Sequence, residues 1–369
     1  MTTVEGLVAA EIIRRGPIPF AEVVDLALYQ AEGGFYASGG QAGRRGDFLT
    51  SPEVGPLFGA VVARALDTTW SELGSPDVFT VVEVGAGRGA LARAVLAATP
   101  RCGPALRYLL VERSASQRAS HAQHLTLDPP AFAFASAPDD DDESEPPLPV
   151  GAGPIVVSLP ELPRLPGPCL VLANELLDNL PFGLRERTAD GWADVCVGLE
   201  GDGLVEVVVP SEDRTGPEAA VGARIPEQAR AADWVQEARR LAAPDGRVIA
   251  IDYASTTIDM ATRPWREWVR TYRRHERGTH PLDRLGQQDI TCEVAIDQLP
   301  RPDQDRSQAE WLLAHGLGDL VEEGRAIWRE RAAIGDLVAV RARSRTVEAE
   351  ALVDPSGLGA FRVLEWCGI

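Results

Sequence analysis

The sequence predicts an α/β protein: an open, mostly parallel sheet with an N-terminal helical extension and inserted β and helical segments. Three observations carry this. The run Val81-Val82-Glu83-Val84-Gly85-Ala86-Gly87-Arg88-Gly89 takes an apolar strand into three alternate glycines, and Ala90 to Leu96 follows at helical spacing. Apolar runs that close on polar residues recur at Arg107 to Glu112, at Leu170 to Ala173 before Asn174-Glu175, and at Gly246 to Tyr253 with Asp252. Helical patterns separate these runs, and strands alternating with helices signal a parallel sheet covered on its faces.

In chain order, Val4 to Arg15 has helical periodicity, and Ile18-Pro19-Phe20 leads into a second helix from Ala21 to Tyr29. A glycine-rich loop from Gly33 to Gly46 runs into Asp47-Phe48-Leu49-Thr50-Ser51-Pro52-Glu53. Thr50 or Ser51 before Pro52 and Glu53 marks a helix start for Val54 to Leu73. Phe79 to Val84 and Arg107 to Glu112 are strands, and Ser114 to Leu125 is a helix. The acidic tract Asp139 to Pro147 combines self-repelling charge with proline and suits a solvated loop. Leu170 to Ala173 reads as a buried strand, Trp192 to Val197 with Leu204 to Val209 as a hairpin, Ala229 to Leu241 as a helix, and Gly246 to Tyr253 as a strand. Trp265 to Arg277, if helical, sets Trp265, Trp268, Val269 and Tyr272 on one face. Arg266, Arg270, Arg273, Arg274 and Arg277 then form a local basic flank, suited to an acidic partner or to the protein's own acids. Asp336 to Arg343 and Val347 to Leu352 alternate like strands, and Phe361 to Leu364 follows a Pro355-Ser356-Gly357 turn, so an antiparallel edge pair is expected there.

Composition excludes several classes. The 369 residues are 45% apolar and 25% charged, as in ordinary globular proteins. No apolar run is long enough for a bilayer, and Met1 to Glu5 lacks the basic-then-apolar form of a secretory signal, so a cytoplasmic protein without a membrane partner is expected. The five cysteines are dispersed with no CxxC pair, and His121 with His124 lacks a matching ligand set; neither a disulfide framework nor a metal site is expected. A net charge of −19 argues against nucleic-acid binding. All 36 basic residues are arginine.

Ligands of open parallel sheets sit at the carboxyl ends of strands, where Glu83, Glu112, Asn174, Glu175 and Asp252 are expected. Gly85, Gly87 and Ala90 satisfy the G-x-G-x-x-A pattern of dinucleotide sites. Glu83, Gly85, Gly87 and Gly89 equally satisfy the E-x-G-x-G-x-G pattern of S-adenosylmethionine loops. Glu112 could accept from the ribose diol of either ligand. A long segment precedes the glycine loop, whereas dinucleotide folds usually open with it. Asn174-Glu175 offers an amide and a carboxylate to orient a nucleophilic nitrogen, and a Tyr-x-x-x-Lys hydride-transfer pair is ruled out because the chain has no lysine.

The ordered set Gly46 to Glu53, Phe58-Gly59, Glu83 to Gly89, Leu110 to Ser114, Asn174-Glu175-Leu176-Leu177-Asp178-Asn179-Leu180-Pro181, Ile251-Asp252-Tyr253 and Gly286 to Thr291 resembles the MidA-like family of methyltransferases. That family includes the mitochondrial complex I assembly arginine methyltransferase. The resemblance implies a class I, Rossmann-like methyltransferase fold with S-adenosyl-L-methionine as cofactor and a protein substrate, arginine being the family's precedent. It implies that Gly85, Gly87 and Gly89 cradle the methionine part, that Glu112 binds the ribose, that Asp47 and Ser51 close over the cofactor, and that Asn174, Glu175 and Asp178 lie near the transfer site. Two departures stand out: Ala254 replaces the glycine that often follows Ile-Asp-Tyr, and Glu267-Trp268-Val269-Arg270 replaces Gly-Thr-Leu-Arg, with Tyr272 and His275 in step.

Glu175 and Asp178 stand three apart and could share one face of a helical turn, holding a guanidinium by charge-assisted hydrogen bonds. The same spacing suits helix capping, with Asn174 as N-cap. The expected organisation is a helical extension at 1–75, a core at 76–200 and 229–260, insertions at 201–228 and 261–335 forming a smaller substrate-side lobe, and C-terminal strands at 336–369. The expected activity is transfer of a methyl group to a protein side-chain nitrogen, catalysed by Glu175, Asn174 and Asp178. Cofactor binding would fall to Glu83, Gly85, Gly87, Gly89, Glu112, Asp47, Ser51 and Asn174. A homodimer is compatible with this reading. Two alternatives stand beside it: a non-catalytic assembly factor on the same fold, and an NAD-dependent oxidoreductase.

Overall fold

The computed structural model describes residues 3–37, 50–134, 153–273 and 276–369. Asp47, His275, Arg274 and the acidic tract lie outside the described residues. The chain divides into two compact units. The first comprises Leu49–Asn174, Ala238–Ile251 and Asp303–Ile369, and the second Met1–Phe48, Glu175–Glu237 and Asp252–Pro302. These divisions cut the chain at other points than the sequence reading: the first helices fall in the second unit, and so does the segment from Glu175 to Glu200.

The first unit is built on a seven-stranded sheet. Its order is Gln304–Ser307, Arg362–Cys367, Arg247–Asp252, Cys169–Asn174, Phe79–Val84, Leu106–Val111 and Ile155–Leu159. The last five pair in parallel, and the Gln304 strand runs antiparallel to the Arg362 strand. The chain lays down Phe79–Val84 first, moves outward to Leu106 and Ile155, then returns to Cys169 on the opposite side. The topological switch point therefore falls between the Phe79 and Cys169 strands, where Val84 pairs with Ala173. The strands read as continuous apolar runs because both faces are covered. Phe58, Val61, Leu66, Val81, Val95, Leu110, Leu170 and Ile249 share one core. Helix Pro56–Glu72 packs so closely on helix Ala90–Ala97 that a Cβ at Gly59 would meet Ala94 Cβ at 2.3 Å.

The second unit packs helices Val4–Arg15 and Phe20–Tyr29 with an antiparallel sheet of Ile18–Pro19, Gly191–Glu200, Gly183–Thr188 and Arg224–Glu227. The expected hairpin is present, with Gly203–Pro210 pairing antiparallel to Gly191–Glu200. Val4, Val8 and Ile12 bury one stripe of the first helix, and Thr3 caps it by accepting from Gly6 N at 3.1 Å. Their core also takes Phe20, Val24, Phe182, Val197, Trp268 and Ile290.

Four expectations are corrected. Val54 to Leu73 is two helices, Ser51–Val54 and Pro56–Glu72, separated at Gly55. The helix after Glu112 is shorter than expected, Ala115–His121. Trp265 to Arg277 is a single turn, Trp265–Trp268, followed by the strand Val269–Arg273, which pairs with Asp289–Cys292. The side chain of Trp268 is buried and donates to Met260 O at 3.1 Å, and Arg270 and Arg273 lie on the strand rather than on a helix flank. Asp336 to Leu352 is a helix, Leu337–Val353, rather than two strands. Asp336 caps it by accepting from Ala339 N at 2.9 Å. The edge pair of the sheet comes from Gln304–Ser307 instead.

Candidate active site

In the first unit, the glycine turn follows the central strand without a break. Gly85, Gly87 and Gly89 have φ of +69°, +54° and +76°. Gly89 is the N-cap of helix Ala90–Ala97, and a Cβ there would lie 3.1 Å from Leu110 and 3.2 Å from Leu125. Left-handed backbone and lack of room together require glycine at that position. Gly85 N and Ala86 N donate to Val111 O at 2.9 and 3.1 Å, which fixes the turn to the neighbouring strand.

Glu112 braces the turn from that strand's end. Its two carboxylate oxygens accept from Gly87 N at 2.9 Å and Ser114 N at 2.7 Å. Burial raises its pKa and these N–H donors oppose the rise. The Arg113 N–H also hydrogen-bonds this carboxylate, and the acceptor capacity that remains can serve a ribose hydroxyl. His121 completes the brace: Nε2 lies 2.8 Å from Gly87 O and Nδ1 2.8 Å from Ser158 Oγ. Burial lowers the His121 pKa, which favours the neutral ring. A neutral imidazole that donates from Nε2 to the carbonyl and accepts at Nδ1 from the serine satisfies both contacts.

Glu83 is buried beneath the turn. It accepts from the Tyr108 hydroxyl at 2.8 Å and from the N–H of Ala92 in the first helical turn, while burial pushes it up to about 7. The structure thus places Glu83 as a support of the loop and helix start. Ser51 is fully buried at the start of helix Ser51–Val54, and its hydroxyl donates to Gln308 Oε1 at 2.8 Å. Asn174 is the last residue of the Cys169 strand, beside the strand that carries the glycine turn.

The second unit begins its middle segment at the next residue. Glu175 adopts φ +52°, a left-handed conformation that non-glycine residues hold only under constraint. A 3₁₀ turn follows at Leu177–Asn179 with Leu176 at its N-cap. Asn174 is therefore a strand residue, which corrects the capping alternative. Asp178 lies in the turn, and Asp252 holds it there: one Asp252 oxygen accepts from Leu177 N at 2.9 Å and Asp178 N at 3.2 Å, and the other from Tyr253 N at 2.9 Å.

Around Asp178 the second unit gathers acids and tyrosines. Asp289 accepts from the Tyr36 hydroxyl at 3.0 Å and from Asn179 Nδ2 at 3.4 Å. Tyr29 donates to Asn179 O at 2.9 Å and stacks on Tyr36 with ring centroids 5.5 Å apart. The Tyr253 hydroxyl hydrogen-bonds Asp178 and lies 2.6 Å from Thr291 Oγ1. Register explains the convergence: Tyr272 pairs with Asp289 and Arg270 with Thr291, so all four project from one face of that strand pair. The guanidinium of Arg270 lies 5.2 Å from the centre of the Tyr253 ring.

Burial and the Asp289 charge push Asp178 up to about 7, and burial takes Asp289 to about 6. Burial raises Asp252 too, with the charges of Asp178 and Glu175 adding to it. Among the described residues, Asp178 Oδ1 is buried with no hydrogen-bond partner. An acid cluster of this kind is complementary to a planar, multidentate cation.

Sequence reasoning found Asn174, Glu175 and Asp178 but assigned no role to Asp289, Tyr36 or Tyr253. Ile251-Asp252-Tyr253 and Gly286 to Thr291 were visible as motifs; their meeting point was not. His121 was noticed only as half of a spacing that could have suggested a metal.

Residues 61–313 match the family described as "Putative S-adenosyl-L-methionine-dependent methyltransferase". The chain is 31% identical over 211 residues to the human mitochondrial protein arginine methyltransferase NDUFAF7, covering 53% of this chain and 46% of that protein. It is 46% identical over 87 residues to the Drosophila melanogaster homologue, covering 24% of this chain and 20% of that one. It thus spans less than half the length of these curated relatives. Among solved structures, a COG1565 superfamily member from Burkholderia thailandensis bound to S-adenosyl-homocysteine aligns with a TM-score of 0.77 at 25% identity, over 98% of this chain and 91% of that one. A second Burkholderia thailandensis structure of that superfamily aligns with a TM-score of 0.75 at 24% identity, over 99% and 91%.

Proposed function

We infer the acceptor chemistry from one premise: this chain belongs to the S-adenosyl-L-methionine-dependent methyltransferase family. Its cofactor is S-adenosyl-L-methionine, which supplies an electrophilic methyl group when bound. Gly85, Gly87 and Gly89 would hold it through backbone groups, and Glu112 through the acceptor capacity its backbone contacts leave over. Neither the assembly-factor reading nor the oxidoreductase reading has an observation of its own in its favour.

The acceptor is a guanidinium nitrogen of a protein arginine. The observation that carries this is the buried set of Asp178, Asp252 and Asp289 walled by tyrosines, with Asp178 Oδ1 open to a further donor among the described residues. Burial raises the pKa of all three acids, with the Asp289 charge adding at Asp178 and the Asp178 charge at Asp252, and an entering guanidinium opposes this by pairing with them. Its planar fork matches two carboxylates at once, and its face suits stacking on tyrosine. The names of the curated relatives support the same class.

Free guanidinium is protonated at any physiological pH and is a poor nucleophile. The chain's residues must therefore orient one nitrogen and take a proton from it. Glu175, held at its left-handed φ, orients the nitrogen. Asp178, whose Oδ1 has no hydrogen-bond partner among the described residues, can accept the proton and pass it on. Tyr253 and Tyr36 hold Asp178 and Asp289 in place through their hydroxyls.

The test is transfer of labelled methyl from S-adenosyl-L-methionine to proteins of a cell extract, followed by acid hydrolysis. Label is expected in methylarginine. Glu175→Gln and Asp178→Asn should each leave cofactor binding by calorimetry intact and reduce transfer by about 100-fold or more, the scale of a lost general base. Label confined to lysine or histidine would remove arginine as the acceptor.

A further inference from the structure

We propose that helix Leu337–Val353 is a homodimer contact, pairing antiparallel with the same helix of a second copy. Five of the thirteen exposed large apolar side chains among the described residues lie on this helix or just before it, Ile334, Leu337, Val338, Val340 and Val347, and three of them, Leu337, Val340 and Val347, share one side. Leu337 is 75% exposed, Val340 54% and Val347 67%. The helix has a covered side as well, where Ala339, Ala342, Glu348 and Leu352 are buried against helices Leu317–Arg331 and Pro56–Glu72. Leu337, Val340 and Val347 are exposed, and the half-buried Ser344 and Ala351 continue their line at a spacing of three, four, three and four residues. That is the seam of a coiled coil, and apolar seams of this kind are rarely left bare on a monomer.

The charges beside the seam select the occupant. Arg343 and Glu350 are both exposed on one flank, seven residues apart. An antiparallel pairing that sets Ser344 against Val347 of the second copy also sets Val340 against Ala351. Small residues then oppose valines, which lets the helix axes approach. The same alignment brings Arg343 opposite Glu350 of the second copy, and two-fold symmetry repeats the pair. Arg343 is held in position by the Trp328 ring, 5.2 Å from its guanidinium carbon. A parallel pairing would instead aim Arg343 at Glu348, whose carboxylate already accepts from Leu57 N at 2.9 Å and Ser344 Oγ at 2.6 Å. The exposed Arg343 and Glu350 therefore favour the antiparallel orientation.

The experiment is sedimentation velocity of the full chain from about 1 to 100 µM, the range suited to a contact of one helix pair. A monomer–dimer equilibrium with a micromolar Kd is expected. Val340→Asp and Val347→Asp, at exposed sites where the fold does not depend on the valine, should weaken the dimer at least about 100-fold, the scale of a disrupted apolar seam. Circular dichroism checks that both variants stay folded. Arg343→Glu and Glu350→Arg should each weaken the dimer, and the two combined should restore it. A monomer throughout the range overturns the proposal, as does a dimer indifferent to the valine variants or a charge swap without restoration. Protection of the seam from hydrogen exchange in a monomer also overturns it, with another segment of the chain as the occupant.

Discussion

Replacing Glu83 by glutamine should change the pH dependence of stability in a direction set by the structure. Glu83 is 4% exposed. Burial lifts its pKa from 4.5 to about 7, while the Tyr108 hydroxyl and Ala92 N–H pull the other way and the Glu112 charge adds a smaller rise. In the unfolded chain the group titrates at its ordinary value. Between pH 4.5 and about 7 the folded chain therefore keeps a proton that the unfolded chain has lost. A state that binds more protons loses relative stability as pH rises, so the contribution falls through this window and is fully lost above it. The gap from 4.5 to about 7 corresponds to about 3 kcal/mol.

Glutamine cannot ionise, and its amide oxygen can still accept from Tyr108. If the Ala92 contact is lost, the cost is about 1 kcal/mol and independent of pH. The assay is urea unfolding of both proteins in matched buffers from about pH 4.5 to 8.5, reading the difference between them. Taking the difference cancels the distant titrating groups common to both. The variant should gain on the wild type by about 3 kcal/mol across the range, most steeply between pH 5 and 7. A difference that stays flat to within about 0.5 kcal/mol, the usual error of additivity, would refute the argument that Glu83 is a neutral support at rest.

Three further outcomes are expected. Gly89→Val places a β-branched side chain at φ +76° with its Cβ 3.1 Å from Leu110; it should cost about 2 kcal/mol or more and weaken S-adenosyl-L-methionine binding by calorimetry. His121→Ala removes the bridge between Gly87 O and Ser158 Oγ; cofactor Kd should rise about 10-fold, as for loss of one buried hydrogen-bonded group, and an unchanged Kd would show that the turn holds itself. Tyr36→Phe removes a hydroxyl that lowers the Asp289 pKa; Asp289 should then titrate above its present value of about 6, and the acid limb of the transfer rate should move to higher pH. A profile that does not move would separate Asp289 from the chemistry.

What could be read in the sequence was local. The glycine turn was legible because strand, turn and helix are contiguous and the backbone need falls on glycines at alternate positions, Gly85, Gly87 and Gly89. The step from Asn174 to Glu175 was legible as polar residues after a strand. Its geometry was not, because Glu175 takes a left-handed φ and the 3₁₀ turn after it is held by Asp252, which accepts from Leu177 N and Asp178 N across a long chain separation. The rest of the cluster is likewise a product of tertiary convergence. Tyr36 meets Asp289 and Tyr253 meets Asp178, and no spacing rule links such residues.

Helix Leu337–Val353 was misread for a different reason, and that reason bears on its role. A surface helix announces itself by one apolar stripe. This helix has two: Ala339, Ala342 and Leu352 turned to the core, and Leu337, Val340 and Val347 turned to solvent. Two stripes cancel any single amphipathic direction, and Val-Ala-Val-Arg-Ala-Arg then imitates the alternation of a strand. Asp336, read as the first residue of a strand, is the N-cap of the helix. The second stripe is thus what defeated the periodicity argument. A helix under selection only to cover its own core needs one stripe, so the outer one implies a second packing partner, and its Arg343 and Glu350 suit another copy of the same helix.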